Sequence, residues 1–92
     1  PLRIIHIDRF GNCVTNITPE VLTREMIDAG ARLVVKGKEV TAFRSFFTEQ
    51  TASRVKLFAL WGSAGFLEIA VSNRSAAKFL NVTRGEPVVV RI

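Results

Sequence analysis

The stretch of residues 5–17 most constrains how this chain folds, because it places polar residues between two short apolar segments. A carboxylate, an aromatic ring, a glycine and two asparagines lie together here. Asp, Asn and Gly are disfavoured inside strands and favoured in turns. The stretch therefore predicts two strands joined by a tight loop, and the polar groups of that loop are candidates for contact with a ligand.

Short apolar segments separated by turn signals continue along the chain. Strands are predicted at residues 2–7, 13–17, 32–35, 39–43, 55–61, 66–71 and 88–92. One helix is predicted to begin at Thr18-Pro19-Glu20 and stop at Gly30, burying Val21, Leu22, Met26 and Ile27, and a second to span 75–80. Gly37 is predicted to close a hairpin, and 48–53 to form a polar loop. This pattern predicts a mainly β fold, a small antiparallel β-barrel with one or two short helices.

Composition narrows the class of protein. Hydrophobic residues make up 48% of the 92 residues and the mean hydropathy is +0.25, so a folded single domain is expected. The apolar runs are far shorter than the roughly 20 residues that span a bilayer, no signal peptide is visible, and a cytoplasmic location is expected. The only cysteine, Cys13, excludes an internal disulfide. The net charge of +5 favours anionic partners, although a solvated basic surface is the simpler interpretation.

Catalysis within this chain is poorly supported. A nucleophile–histidine arrangement needs His6, which lies inside an apolar strand, and one His with one Cys cannot assemble a structural zinc site. The glycine-rich segment 62–65 joins two strands and lacks the helix that phosphate-binding loops need. The chain alone is therefore not a complete enzyme, and no metal or cofactor is expected.

The sequence supports a role in ligand binding better than it supports catalysis, with this chain supplying one half of a binding site. The polar breaks at 8–12 and 62–65 each follow an apolar strand, and if those strands are neighbours the breaks lie at the same end of the barrel. Asp8 can accept from an ammonium or hydroxyl group, Asn12 can pair with a donor–acceptor edge, and Ser63 can hold a carboxylate. The aromatic candidates for stacking on a flat ring are Phe10, Phe46 and Phe47.

Each of these interpretations has a simpler alternative. Asp8 and Asn12 can have a purely structural role, in which they stabilise a turn through hydrogen bonds between side chain and backbone. The aromatic residues, with Trp61, are commonly core residues. Glu68, a single charge in an apolar strand, suits an edge or an interface better than acid catalysis.

Three segments together indicate a family. The pattern I-x-I-D-x-F-G-N-x-x-T-N-I at 5–17 resembles the C-terminal domain of the S-adenosyl-L-methionine hydroxide adenosyltransferases, also called adenosine-forming S-adenosyl-L-methionine hydrolases, relatives of fluorinase and chlorinase. Residues 61–71, W-G-S-A-G-F-L-E-I-A-V, and 84–88, R-G-E-P-V, are similar to two further blocks of that family in matching order.

The resemblance implies an architecture and a reaction. Residues 1–92 are expected to form a single C-terminal β-barrel domain, with the N-terminal catalytic α/β domain absent from this chain. In the family the enzyme is a trimer, and S-adenosyl-L-methionine lies between this domain and the N-terminal domain of a neighbouring subunit. Water or hydroxide displaces methionine from the ribose C5′ and gives adenosine, with no cofactor. This fragment alone is expected to be inactive.

The resemblance also implies roles for single residues. Asp8 is expected to meet the methionine ammonium, and Ser63 with Ala64 to lie beside the carboxylate. Adenine is expected to contact Phe10, Asn12, one of Phe46 or Phe47, and backbone groups from Val71 to Asn73. Halogenases carry an aromatic residue at the position of Val14 and arginines at those of Ala64 and Val71, so the hydrolase branch is indicated. Arg74 lies where hydrolase relatives often have glycine.

Two other functions remain open at this stage. One is a small basic β-barrel that binds nucleic acid, which the net charge favours, although the basic residues are scattered and nucleic acid is the less expected partner. The other is a purely structural oligomerisation domain that has lost its ligand.

Overall fold

The computed structural model describes residues 1–44 and 57–92, in which eight strands and two short helices are found. In chain order the elements are β1 (Ile4–Ile7), β2 (Cys13–Thr15), α1 (Arg24–Asp28), β3 (Arg32–Val35), β4 (Lys38–Val40), β5 (Phe43–Arg44), β6 (Leu57–Trp61), β7 (Leu67–Val71), α2 (Ala76–Leu80) and β8 (Val89–Arg91). The loop predicted at 48–53 lies outside the described residues.

The strands form two sheets, one of five strands in the order β1-β2-β7-β6-β5 and one of three in the order β4-β3-β8. The prediction of a mainly β fold with short helices is therefore confirmed. The predicted closed barrel is not found among the described residues. The strands are antiparallel except for β5 and β6, which pair in parallel through Phe43 with Ala59 and Arg44 with Leu60. Parallel strands need a long crossover connection, and the closely spaced strands and turn signals of the sequence do not predict one.

The hairpin between β3 and β4 forms at the predicted turn. Lys36 and Gly37 both have positive φ, at 50° and 82°, and Val35 pairs with Lys38. Positive φ at both central residues matches the right-handed twist of the flanking strands. Gly37 therefore has the role that the sequence predicted.

The first helix begins later than predicted. The backbone N–H groups of Val21 and Leu22 both donate to the Thr18 carbonyl, which makes a turn, and the helix starts only after Thr23. The Thr23 side chain accepts from the N–H of Met26 and so caps α1. Val21 is 45% exposed, so its predicted burial is wrong. The later start of the helix has a physical reason: as an N-cap, Thr23 satisfies a free backbone N–H of the first turn as well as Thr18 would.

The second helix agrees with its prediction. Ser75 caps α2 by accepting from the N–H of Lys78, and Asn81 ends it in the left-handed conformation at φ 58°. Neither helix is long and apolar enough to cross a membrane, a finding that covers the described parts of the chain.

The two faces of the five-stranded sheet have different environments. Alternate residues of β7, such as Leu67 and Ile69, join a single buried cluster that also includes Leu33 and Val35 of the other sheet. On the opposite face, Phe58, Leu60 and Ala70 form a separate small cluster. We call this second surface the outer face.

The two polar breaks lie at opposite ends of the sheet. The strands that they follow, β1 and β6, are not neighbours, so the condition for the breaks to share one end is not met. Cys13 pairs with Ile69 and Val14 with Glu68, so β2 and β7 run antiparallel and the 8–12 loop lies beside the end of β7. The 62–65 turn joins β6 to the start of β7. The sequence showed that each polar break follows a strand. Which end of the sheet each break occupies depends on how β2 pairs with β7, and the sequence does not show that pairing.

Candidate functional site

The loop between β1 and β2 is held by Asp8. Its Oδ1 atom accepts from the backbone N–H groups of Phe10 and Asn12, each at 2.9 Å, and its backbone carbonyl accepts from Gly11 N–H at 2.9 Å. Asp8 therefore stabilises the turn through bonds between its side chain and the backbone, as the simpler alternative had it. Both side-chain bonds use one oxygen, and within the described residues no hydrogen bond to the Asp8 side chain uses Oδ2.

Gly11 fastens this loop to the helix α2. Its carbonyl accepts from the N–H of Ala77 at 2.9 Å, and its φ is 85°. A Cβ atom at this position would overlap Oγ and Cβ of Ser75 and lie 2.7 Å from the Ser75 Cα. The loop and the start of α2 are thus packed so closely that only glycine fits between them.

An open cleft of about 790 Å³ lies where the 8–12 loop, the end of β7 and the outer face meet. Its size falls within the range of small-molecule sites. The lining residues come from these three places and from β5, and they are Phe10, Asn12, Arg44, Phe58, Ala70, Val71, Ser72, Asn73, Arg74 and Ser75. The wall combines aromatic, amide and hydroxyl groups, which suits a flat, polar-edged ligand.

Four of the residues predicted to contact adenine lie together on this cleft: Phe10, Asn12, Val71 and Asn73. Phe10 is 69% exposed at the rim, so the simpler alternative that it is a core residue does not hold. Asn73 has a φ of 61°, a conformation that asparagine tolerates well.

The other predicted residues are distributed differently. Asp8 is the first residue of the loop, holds it through bonds to the amides of Phe10 and Asn12, and does not line the cleft. Ser63 and Ala64 are exposed in the turn at the far end of β7 and do not line the cleft. Phe46 and Phe47 lie outside the described residues.

Sequence reasoning missed Arg44 and Phe58. Arg44 is only 7% exposed, and its guanidinium carbon lies 3.5 Å from the centroid of the Phe58 ring, a cation–π contact on the cleft wall. Arg74, at the position where hydrolase relatives often have glycine, is exposed and also lines the cleft. The available signal was an arginine directly after the predicted strand 39–43, next to Phe43.

Glu68 lies on the outer face between the two ends of the sheet. A Cβ atom on Gly62 would overlap the Glu68 carboxylate, so the glycine leaves the space that this side chain occupies. Burial, and then the nearby charge of Asp8, raise the pKa of Glu68 above its ordinary value. The carboxylates of Asp8 and Glu68 therefore repel each other across β2 when both are ionised. In the described part of the chain no cluster of three or more metal-ligating side chains is present.

Cys13 is a buried free thiol beside the loop. Burial, and then the charge of Asp8, raise the pKa of Cys13 from 9.0 to about 11. Between pH 9.0 and about pH 11, the Cys13 thiol therefore loses its proton in the unfolded chain and keeps it in the folded chain. The free energy of unfolding is therefore expected to fall by on the order of 2 kcal/mol as the pH rises through this interval.

Urea unfolding near pH 8 and near pH 11, comparing the protein with Cys13→Ala, tests this expectation. Titration of the lysines affects both proteins and cancels in the comparison. The loss of stability should be larger in the unmodified chain, and equal losses in the two proteins would show that the thiol is not responsible.

The fold and the cleft together define a small two-sheet β domain with a wide, polar-edged cleft at the end of a sheet. Residues 2–89 match the family model of the SAM hydroxide adenosyltransferase C-terminal domain, where SAM denotes S-adenosyl-L-methionine. The chain therefore belongs to the S-adenosyl-L-methionine hydroxide adenosyltransferase family and corresponds to its C-terminal domain, as the sequence resemblance indicated.

Relatives of known sequence and structure agree with this assignment. The chain is 37% identical over 89 residues to the (R)-S-adenosyl-L-methionine hydrolase of Methanocaldococcus jannaschii, covering 87% of this chain and 31% of the relative. It also resembles crystal structures of a conserved hypothetical protein from Thermus thermophilus, with a TM-score of 0.66, and of an uncharacterized conserved protein from Thermotoga maritima, with a TM-score of 0.73. Each is 31% identical, and the alignments cover 99% and 98% of this chain and 35% of each relative. The chain thus spans about a third of these proteins.

Proposed function

We propose that this chain is the substrate-binding and subunit-contact domain of an S-adenosyl-L-methionine hydrolase, which uses water or hydroxide to give adenosine and L-methionine. The single observation that carries the proposal is the convergence of Phe10, Asn12, Val71 and Asn73 on one cleft. These residues were assigned to adenine from the family resemblance alone, and they come from two segments far apart in the chain.

The separation of the two polar breaks supports an elongated ligand. Leu67 to Val71 spans four residue steps, roughly 13 Å at about 3.3 Å per residue in a strand. S-adenosyl-L-methionine carries adenine at one end and an amino-acid group at the other. In the proposed pose, adenine occupies the cleft, the ligand extends along the outer face, and the amino-acid carboxylate reaches Ser63 and Ala64. The ammonium group is on the same carbon as the carboxylate, so in this pose it lies near Ser63 and Ala64, and contact between Asp8 and the ammonium is not part of the proposal.

The proposed reaction is a displacement at carbon. The C5′–oxygen bond forms as the C5′–sulfur bond breaks, and the electron pair of the broken bond stays on sulfur, so methionine leaves as a neutral thioether. Catalysis then consists mainly of holding the nucleophile in line and excluding bulk water. This domain contributes the fixed position of the substrate, and the groups that orient the water belong to the family's N-terminal domain.

The open side of the cleft supports a partner. Phe10 leaves most of its ring exposed at the rim, an arrangement that suits contact with the N-terminal domain of a neighbouring subunit in a homotrimer. The free, buried Cys13 fits a reducing compartment, and we place the protein in the cytoplasm.

An amide chemical-shift titration of the chain with adenosine, and with uridine at matched concentration, tests the proposal. Adenosine alone should shift the amides of Phe10, Asn12 and Asn73. Equal shifts with uridine would contradict adenine recognition. So would the absence of shifts at millimolar adenosine, if it persists after the family's N-terminal domain is added.

A further inference from the structure

Glu68 is a charged residue on an interior strand of the five-stranded sheet. β7 lies between β2 and β6, and Glu68 pairs with Val14 on one side and with Leu60 on the other. The residues before and after it, Leu67 and Ile69, enter the core, so the Glu68 side chain points to the outer face. An interior strand excludes the sheet edge that the sequence suggested for this residue, and leaves a carboxylate that faces outward.

The Glu68 carboxylate lies at the base of the 62–65 turn. A Cβ atom on Gly62 would overlap it, so the carboxylate rests against the backbone of the residue that opens the turn. Within the described residues it makes no ion pair and no hydrogen bond. Burial, and then the charge of Asp8, raise the pKa of Glu68. The ionised carboxylate is therefore destabilised, and a cation beside it would offset that cost.

The same turn provides hydrogen-bond donors next to the carboxylate. The N–H of Gly62 donates to the Phe66 carbonyl at 2.9 Å, and the N–H of Gly65 donates to the Gly62 carbonyl at 3.1 Å. The N–H groups of Ser63 and Ala64, both exposed, have no backbone acceptor in the part of the chain that the structure describes. Free N–H groups of a turn can bind a carboxylate. Donors and an anion thus lie side by side, which matches an α-amino acid, whose carboxylate and ammonium groups share one carbon.

We propose that Glu68 binds the ammonium group at the amino-acid end of the ligand, beside the turn amides that receive its carboxylate. The inference rests on the proposed function and deepens it, because it assigns recognition of the zwitterionic end to a residue that the family motifs did not single out. Asp8, to which the resemblance assigned the ammonium, holds the 8–12 loop beside the opposite end of β7. Glu68 then distinguishes S-adenosyl-L-methionine from adenine compounds that lack an amino-acid group.

Calorimetric titration of the chain with three thioether ligands tests the inference. These are S-adenosyl-L-homocysteine, its deamino analogue, in which hydrogen replaces the ammonium group, and 5′-methylthioadenosine, which has no amino-acid group. All three carry adenine and a neutral sulfur, so a sulfonium charge does not contribute to the comparison. S-adenosyl-L-homocysteine should bind about tenfold more tightly than the deamino analogue, because it adds a charge-assisted hydrogen bond.

Glu68→Gln should remove most of this preference for the ammonium group, and 5′-methylthioadenosine reports whether the adenine site itself has changed. Glu39→Gln is the matched control, because Glu39 is exposed on β4 in the other sheet and its replacement removes the same charge. Asp8→Asn, which keeps an acceptor for the loop amides, tests the competing assignment and should retain the preference.

Three results would each overturn the inference. They are equal affinities of the unmodified chain for S-adenosyl-L-homocysteine and its deamino analogue, equal effects of the two glutamate variants, and loss of the preference in Asp8→Asn with its retention in Glu68→Gln. Binding of 5′-methylthioadenosine without a preference for the ammonium group leaves the proposed adenine site standing, whereas failure of every adenine ligand to bind removes both.

Discussion

Replacing Gly11 by alanine is expected to lower the free energy of unfolding by about 3 kcal/mol or more and to disrupt the cleft. Two costs add at this position. A φ of 85° is strained for any residue with a Cβ, at about 1–3 kcal/mol, and overlap with Ser75 adds a similar cost of overpacking. Relief of the overlap must move the 8–12 loop away from α2, and Asn12 and Ser75, which line the cleft, move with it. Urea unfolding measures the first effect, and adenosine titration measures the second.

Gly37→Ala separates the two costs. Gly37 has a nearly identical φ of 82°, but no atom lies within 4 Å of a Cβ placed there. This control should lose only the cost of backbone strain, about 1–3 kcal/mol and less than Gly11→Ala, and should bind adenosine as the unmodified chain does. Equal losses of stability in the two variants would show that the close packing of Gly11 against Ser75 contributes nothing.

Replacing Asn12 by alanine is expected to weaken adenosine binding by about thirtyfold. An asparagine amide can pair with both a donor and an acceptor on the edge of adenine, and such a pair contributes about 1–3 kcal/mol to discrimination. The Asn12 side chain lines the cleft, whereas its backbone N–H holds the loop through Asp8, so truncation removes the ligand contact and keeps the turn. Titration of the variant with adenosine, at a temperature where it is fully folded, gives the affinity.

Asn16→Ala is the matched control for that experiment. The Asn16 side chain is bonded to backbone atoms of Arg3 and Pro1 and does not line the cleft. Its loss should lower stability modestly and leave adenosine affinity unchanged. If both asparagine variants weaken binding to the same degree, the effect is a general loosening of the sheet, and Asn12 does not recognise adenine.

Local signals in the sequence predicted much of the fold. The Lys36-Gly37 turn and the Ser75 cap were predictable because each depends on residues within a few positions of one another. The start of α1 was not predictable, because Thr18 and Thr23 are equally good N-cap residues by type. Which of them caps the helix depends on the position of the chain after the preceding strand. The parallel pairing of β5 with β6 joins residues that are well separated in the sequence, such as Phe43 and Ala59, and leaves no local pattern.

The candidate site was predictable only in parts. The family resemblance identified Phe10, Asn12, Val71 and Asn73, and the structure brings these residues to one cleft. The resemblance did not indicate that Ser63 lies at the other end of β7, because strand register is a property of the sheet and is not encoded in a motif. Arg44 was missed because a buried arginine is recognisable only by its neighbour, and Phe58 lies far along the chain.

The hydrogen bond between Gly11 and Ala77 has a consequence for the kinetics of binding. It fastens the loop wall of the cleft to the start of α2 before any ligand arrives, so that wall does not have to become ordered during association. Differences in affinity among nucleosides should then appear mainly in how fast each one leaves. The time that adenosine stays bound becomes a direct measure of the contacts made by Asn12 and its neighbours, whereas the rate of entry should be nearly the same for every nucleoside of that size.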